Sequence, residues 1–380
     1  MSDDPKQEYF SDGITENIIT ALSKTPKLFV IARNSTFTYK DKPVKVQQVA
    51  EELGVRYILE GSVQKTEKRV RITAQLIDAI TGRHLWAERY DRNLSDIFVV
   101  QDEITIKIIS ALRVKLTKGE SLWGVGTDNL DAYLKYLQSR KHGQRFSKES
   151  YALRRKLAEE AIALDPEYVD AYLELSDIYL HSMRSSSPDS AKQLLERAEE
   201  LVKRAISLRG DHADARAFLG RIYLRKKQFD KAIAEGQRAV AMAPNSADVN
   251  ARFAMTLECA GRPKESISLY KKAMRLSPVS DSWYVVGLGW SYFDIGHYEE
   301  AISAFKRYLN LHPEHKYTRA SLAAAYIMLG REEEARNEAA EVLRLYPKFS
   351  VEAYRKKSLY KNPEDKKRFY DAMFKAGLPE

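Results

Sequence analysis

Apolar positions follow two different rhythms along the chain. Residues 8–117 switch between helical and strand spacing, whereas later residues repeat one helical unit. Apolar residues at 14, 18, 19 and 22 behind Asp12-Gly13 predict a capped helix over Ile14–Leu22. Leu28–Ala32 is short and apolar, as a strand would be, and Val44–Leu53 reads as a second helix stopped by Gly54. Val55–Gln64, Arg69–Leu76 and His84–Tyr90 read as strands, joined by turns at Thr66–Lys68 and Ala79–Gly82. A third helix follows over Ile97–Leu116, with apolar residues at 100, 104, 108, 109 and 112. This order predicts an α+β domain over residues 1–120, a mixed sheet with about three helices.

Proline punctuates the rest. Pro244, Pro278, Pro313 and Pro347 are 34, 35 and 34 residues apart, and Gly210 stands 34 before Pro244. Pro166 precedes Gly210 by 44, and the surplus of ten coincides with the polar stretch His181–Pro188, which predicts a lengthened turn between two helices. Leu288, Gly289, Tyr292, Gly296, Tyr298, Ala301, Phe305 and Pro313 make the clearest unit, with Leu219, Gly220, Tyr223, Ala232, Ala239 and Pro244 in an earlier one. These residues and their period resemble the tetratricopeptide (TPR) repeat. The resemblance implies an all-α superhelix of paired helices over residues 121–347, in about six repeats ending near Pro166, Gly210, Pro244, Pro278, Pro313 and Pro347. A small residue at 220, 254, 289 and 323 would let the first helix approach the second. The first repeat departs from the pattern at Arg154, and residues 348–380 read as C-terminal capping helices.

Several segments of the first part carry a second resemblance. Glu8-Tyr9-Phe10-Ser11-Asp12-Gly13-Ile14-Thr15-Glu16, Ile31-Ala32-Arg33-Asn34-Ser35, Glu52 to Val63, Thr73 to Asp78 and Leu85 to Asp91 resemble, in order and spacing, the TolB-like amino-terminal domain that precedes TPR arrays in bacterial regulators. In that family the module commonly follows an effector: an adenylate or guanylate cyclase, a CadC-like DNA-binding domain or a protein kinase. None of these domains is recognisable in the chain. The family's domain usually opens with an apolar strand, but only polar residues precede Glu8-Tyr9-Phe10 here. Either the chain continues a longer protein or its sheet keeps an open edge, which would favour a homodimer or capture of a strand through the N-terminal domain.

The composition narrows the chemistry. The 380 residues are 44% hydrophobic and 30% charged, with a formal charge of +9. The excess is spread thinly, with 19 basic and 17 acidic residues before position 121 and 43 and 36 after it, so no nucleic-acid stripe is indicated. No apolar run reaches the roughly 18 residues of a membrane span. The first residues lack the basic and apolar regions of a secretory signal, so a cytoplasmic location is expected. A single cysteine, Cys259, excludes an internal disulfide, and it reads as a small semi-buried side chain rather than a nucleophile. His312-Pro313-Glu314-His315 crosses a turn, where solvated side chains are expected rather than a metal pair. Gly287-Leu288-Gly289 lies within a repeat helix rather than a phosphate loop. No catalytic residues, metal or cofactor are assigned. The basic tail around Arg355-Lys356-Lys357, Lys361 and Lys366-Lys367-Arg368 reads as a solvated helix face.

Binding is read from the repeats. In the TPR family the first helix of each repeat lines a concave groove, which implies that Trp283, Val286, Trp290, Phe293 and Asp294 face it in one repeat and Tyr317, Ala320, Ala324, Ile327 and Met328 in the next. Trp283 and Trp290 are two helical turns apart, and with Phe293 and Tyr317 they would make an apolar patch, unless the indoles pack on the neighbouring repeat or on the N-terminal domain. Corresponding positions hold Asp170, Asp177, Asp214, Arg221, Arg225, Asp248 and Glu258, a mixed-sign surface suited to a peptide or helix carrying both charges. The expected role is a non-catalytic regulatory or scaffold module of a bacterial signalling protein, related to the C-terminal part of nucleotide-cyclase regulators and binding a protein segment. The alternatives are a small-molecule sensor controlling a separate effector and, behind it, a nucleic-acid-binding regulator.

Overall fold

The computed structural model describes residues 8–23, 28–40, 42–112, 126–141, 148–183, 187–278, 283–356 and 358–380. The chain forms two compact units, Met1–Leu219 with Ala241–Ser246 and Gly220–Val240 with Ala247–Glu380.

In the first unit, helix α1 (Glu8–Ser23) begins a turn ahead of the Asp12-Gly13 cap that the sequence suggested. The reason is Phe10, which stands four residues before Ile14 and is buried in one stripe with Ile14, Ile18 and Leu22. Leu28–Ala32 does not join the sheet. It runs extended into the short helix α2 (Arg33–Thr36), and the Leu28 carbonyl accepts a hydrogen bond from Asn245 Nδ2 at 2.6 Å. Helix α3 (Val46–Leu53) ends on Gly54, whose φ of 65° is the left-handed conformation that glycine adopts without cost.

Strands β1 (Tyr57–Lys65), β2 (Arg69–Asp78) and β3 (Arg83–Asn93) form an antiparallel sheet in the order β1-β2-β3. The sheet is therefore not mixed: short turns join its strands, and a tight turn permits only antiparallel pairing. Val70, Ile72, Ala74 and Leu76 alternate along β2 and are buried, while Arg69 and Arg71 face outward to Asp91. Helix α4 (Ile97–Ala111) packs against α1, β2 and β3 and places Ile97, Val100, Ile104 and Ile108 in the same core. The predicted extension of this helix beyond residue 112 lies outside the described residues.

That core runs on into helices. Tyr133 and Leu137 of α5 (Leu130–Lys141) belong to it, and the Tyr133 hydroxyl accepts from Asn17 Nδ2 at 2.7 Å. Then α6 (Lys148–Leu164), α7 (Val169–Ser182), α8 (Pro188–Leu208) and α9 (Ala213–Arg225) follow, with α5 to α8 each packed on the next. Helices α10 (Phe229–Met242), α11 (Ala247–Cys259), α12 (Pro263–Leu276), α13 (Tyr284–Asp294), α14 (Tyr298–Leu309), α15 (Lys316–Met328) and α16 (Glu332–Leu345) come next along the chain. In the second unit, α11 to α16 each pack on their successor. Pro166, Gly210, Pro244, Pro278 and Pro347 each stand two residues past a second helix and Pro313 four past, so the punctuation marks where helices stop.

The ten-residue surplus is distributed differently from the expected long turn. Helix α8 has 21 residues where α10 has 14, so most of the insertion lengthens a helix instead. Ser187 caps that helix by accepting from the Ser190 amide, and Pro188 opens it. Gly289 shows why a small residue recurs in the first helices: a Cβ there would lie 2.5 Å from Cε1 of the fully buried Phe305. After the last pair come α17 (Val351–Lys356) and α18 (Pro363–Lys375), the latter packed against α15.

Candidate functional site

The first helices of the last two repeats carry the residues singled out for a groove, and the second unit does not expose them all. Trp283 precedes α13, is 37% exposed, and stands edge-on to Tyr284 and Tyr270 at 5.1 and 6.2 Å. Trp290 is half-buried and donates from Nε1 to Ser321 Oγ at 2.9 Å, so its indole is engaged with the following repeat. Val286 and Phe293 are buried, as are Ala320 and Ala324. These four were expected on an open surface and lie in the core instead, because α13 and α15 are covered by more than their repeat partners. Tyr317, Ile327 and Met328 are half-buried against the same core.

The end of the chain covers part of this surface. Phe369 of α18 meets Phe293 with ring centroids 5.1 Å apart, and Tyr354 meets Tyr317 at 4.6 Å. Phe369 also touches Tyr354, Tyr360 and Tyr370, which makes an aromatic cluster on the faces of α13 and α15. The backbone follows suit, since Lys361 donates its amide to the Cys259 carbonyl at 2.8 Å. Arg368 donates from Nη2 to the Asp294 carbonyl and to Asp365 Oδ1, both at 2.9 Å. The basic tail is therefore not one solvated face: Lys361 and Lys367 are exposed, whereas Arg368 points back into the repeats. The sequence held a signal for this in the spacing of Phe369, Ala372, Met373 and Ala376, an i, i+3, i+4, i+7 stripe whose residues are all buried.

Acidic groups gather beneath this cover. Burial, and then the neighbouring Asp365 carboxylate, pushes Asp294 up to about 8, and Oδ1 of Asp294 has no hydrogen-bond partner among the described residues. Burial, followed by the charge of Asp294, also raises Glu258 well above the usual carboxylate range; the Tyr270 hydroxyl donates to its Oε2 at 3.4 Å. Beside them burial pushes the Cys259 thiol up, away from the reactive thiolate form.

The remaining charged positions divide between the units. In the first, Asp170 lies 3.1 Å from His212 Nε2, and Asp177 lies 3.5 Å from His181 Nε2 and 3.9 Å from Arg154 Nη2. Asp214 is half-buried near the start of α9. In the second, Arg221 and Arg225 are half-buried, and Asp248 accepts from the Tyr284 hydroxyl at 2.5 Å. His315 uses Nδ1 to accept from the Thr318 amide and so caps α15. Among the described residues no three His, Cys, Asp or Glu side chains are grouped to hold a metal, and no helix is long and apolar enough to cross a membrane.

Arg154, where the repeat pattern departs, is buried with Glu174. Its Nε and Nη2 both donate to Oε1, at 3.2 and 2.9 Å, and Ser139 Oγ donates to the same oxygen at 2.8 Å. Charges in the N-terminal segments are likewise structural: Lys40 pairs with Glu8 and Asp12 at 2.8 and 2.6 Å, Arg33 lies 3.5 Å from Glu16, and Arg140 also binds Glu16.

The tetratricopeptide repeat family matches residues 183–247 and again residues 292–358. A Rhizobium meliloti (strain 1021) protein named "Putative adenylate cyclase 3" is 48% identical over 208 residues, 53% of this chain and 35% of the relative. Superkiller protein 3 of Schizosaccharomyces pombe is 26% identical over 183 residues, 46% of this chain and 12% of that protein. The chain thus spans about a third or less of the length of these curated relatives. Among solved structures, a thermophilic TPR protein of Thermus thermophilus is 20% identical, with 49% of this chain and 84% of that one covered and a TM-score of 0.36. The type IV pilus biogenesis factor PilW is 17% identical, with 58% and 96% covered and a TM-score of 0.47. The period, the helix pairs and the family matches agree, and the chain contains tetratricopeptide repeats behind a small α+β part with an antiparallel sheet.

Proposed function

We propose that this protein is a non-catalytic regulatory or scaffold module that binds a segment of a protein partner through its repeats, as part of a bacterial signalling system. The observation that carries the reading is the repeat array itself, whose stacked helices offer surface rather than a reaction centre. The 48% identity with a protein named as an adenylate cyclase, over 35% of that protein, supports a link to nucleotide-cyclase regulation. On this reading residues 1–120 are a TolB-like domain, residues 121–347 the repeats and 348–380 the cap. The antiparallel sheet leaves β1 and β3 as its edges, which suits pairing with a second copy. In the second unit the partner site includes Trp283, Trp290, Tyr317, Ile327, Met328 and the charged positions Arg221 and Arg225; in the first unit Asp177 and Asp214 are the corresponding charged positions. The cytoplasm is the proposed location.

The test is a photo-crosslinking side chain placed at Trp283 in the source cell, with the same group at Ile80, a turn residue 76% exposed, as control. A discrete adduct from position 283 that maps to one segment of one protein, and is absent at position 80, is the expected result. Identical adducts from both positions would refute groove recognition. Metal-dependent formation of a cyclic nucleotide by the purified chain would refute the non-catalytic reading.

A further inference from the structure

The C-terminal segment binds the repeats of the second unit as a partner would. It crosses three successive first helices: Lys361 pairs its amide with Cys259 at the end of α11, Phe369 and Arg368 meet Phe293 and Asp294 at the end of α13, and α18 packs against α15. A cap that only shielded the last pair would pack on α15 and α16 alone. The contacts also have the form of recognition, with adjacent aromatics as anchors and one arginine placed on a helix C-terminal carbonyl, where cations are favoured.

We propose that residues 358–375 are a tethered occupant of the repeat surface, and that the partner this surface fits is an amphipathic helix of the same chemistry, carrying an arginine followed by two aromatic residues. The inference rests on the reading that the repeats bind a protein segment, and it states what that segment must displace. Several features make displacement feasible. Arg368 satisfies a carbonyl that water or another arginine could equally satisfy, and its Nε has no hydrogen-bond partner among the described residues. Beneath the segment Oδ1 of Asp294 has no hydrogen-bond partner among the described residues, although Tyr360 of the segment bonds the same carboxyl group.

Tethering sets the size of the effect. A covalently linked segment competes at an effective concentration of about millimolar, so an added helix binds the intact chain more weakly than the vacated surface by about the fraction of time the surface is open. The test uses the full chain and a fluorescent synthetic peptide of residues 358–380. Binding is measured by anisotropy to the unaltered chain, to Phe369→Ala and to Arg368→Ala. The expected result is affinity at least about tenfold higher for the variants, with amides of residues 363–375 losing hydrogen-exchange protection in both. Arg368→Ala guards against the first variant simply failing to fold, because it removes no buried ring; a melting curve reports on both.

Equal peptide affinity for all three chains, with the segment equally protected, would overturn the tethered-occupant proposal and leave groove recognition standing. Loss of protection at residues 363–375 without any peptide binding would overturn both. In the unaltered chain, saturating peptide should by itself release protection at residues 363–375, and protection that persists under bound peptide would also refute displacement.

Discussion

Arg154 and Glu174 offer the sharpest test of the energetics. Their side chains are 8% and 7% exposed, and two guanidinium hydrogen bonds converge on one carboxylate oxygen. Arg154→Met keeps much of the apolar stem but leaves Glu174 with Ser139 Oγ as a remaining donor. Removing one partner of a buried pair costs about 3–5 kcal/mol, since the orphaned charge keeps its desolvation penalty. That is a shift of about two to four powers of ten in the unfolding equilibrium. Arg154→Met with Glu174→Leu removes both charges and leaves the Ser139 hydroxyl proton for the main-chain carbonyl of residue 154, 3.1 Å away; the double variant should lie within about 1–2 kcal/mol of the parent. Urea unfolding, read by hydrogen exchange at α6 and α7, reports on this unit separately from the other. A cost below about 1 kcal/mol for Arg154→Met, the range of exposed pairs, would refute the reasoning.

Further outcomes follow from other particulars. Gly289→Ala brings a Cβ to 2.5 Å from Phe305, and overpacking of about 1–3 kcal/mol should exceed the gain of roughly 1 kcal/mol in helix propensity; a more stable variant in urea titration would contradict the packing argument. Gly54→Ala meets no atom within 4 Å but must hold φ near 65°, so a loss of about 1 kcal/mol from backbone strain alone is expected, and Gly54→Asn should lose less. Asp294 is raised in the fold to about 8 from its ordinary 3.8, so the folded chain holds a proton that the unfolded chain gives up between those values. Stability of the second unit should therefore fall as pH rises through that window and level off above about 8. The facing groups are Asp365, Arg368, Glu258 and Tyr360, and Asp294→Asn should flatten the urea midpoint against pH; an unchanged slope would assign it to another group.

The linear order of residues was enough for the architecture's local terms. Proline or glycine after each second helix, glycine at 54, alternating apolar residues in β2 and the recurring repeat pattern all act over a few positions, so helix ends and strands could be read without any long-range knowledge. Even there, Phe10 moved the start of α1, and the surplus after residue 181 went mostly into α8. Tertiary contact decided the rest. Leu28–Ala32 has strand-like composition, but an Asn245 side chain more than two hundred residues away takes its first carbonyl. Arg154 looked like a degenerate repeat position until Glu174 closed over it. The groove residue Phe293 became core because Arg368 and Phe369, some 74 residues beyond α13, return to cover the end of that helix. Periodicity places a side chain on a helix face, but which surface comes to lie against that face depends on chain closure over distances that no local pattern encodes.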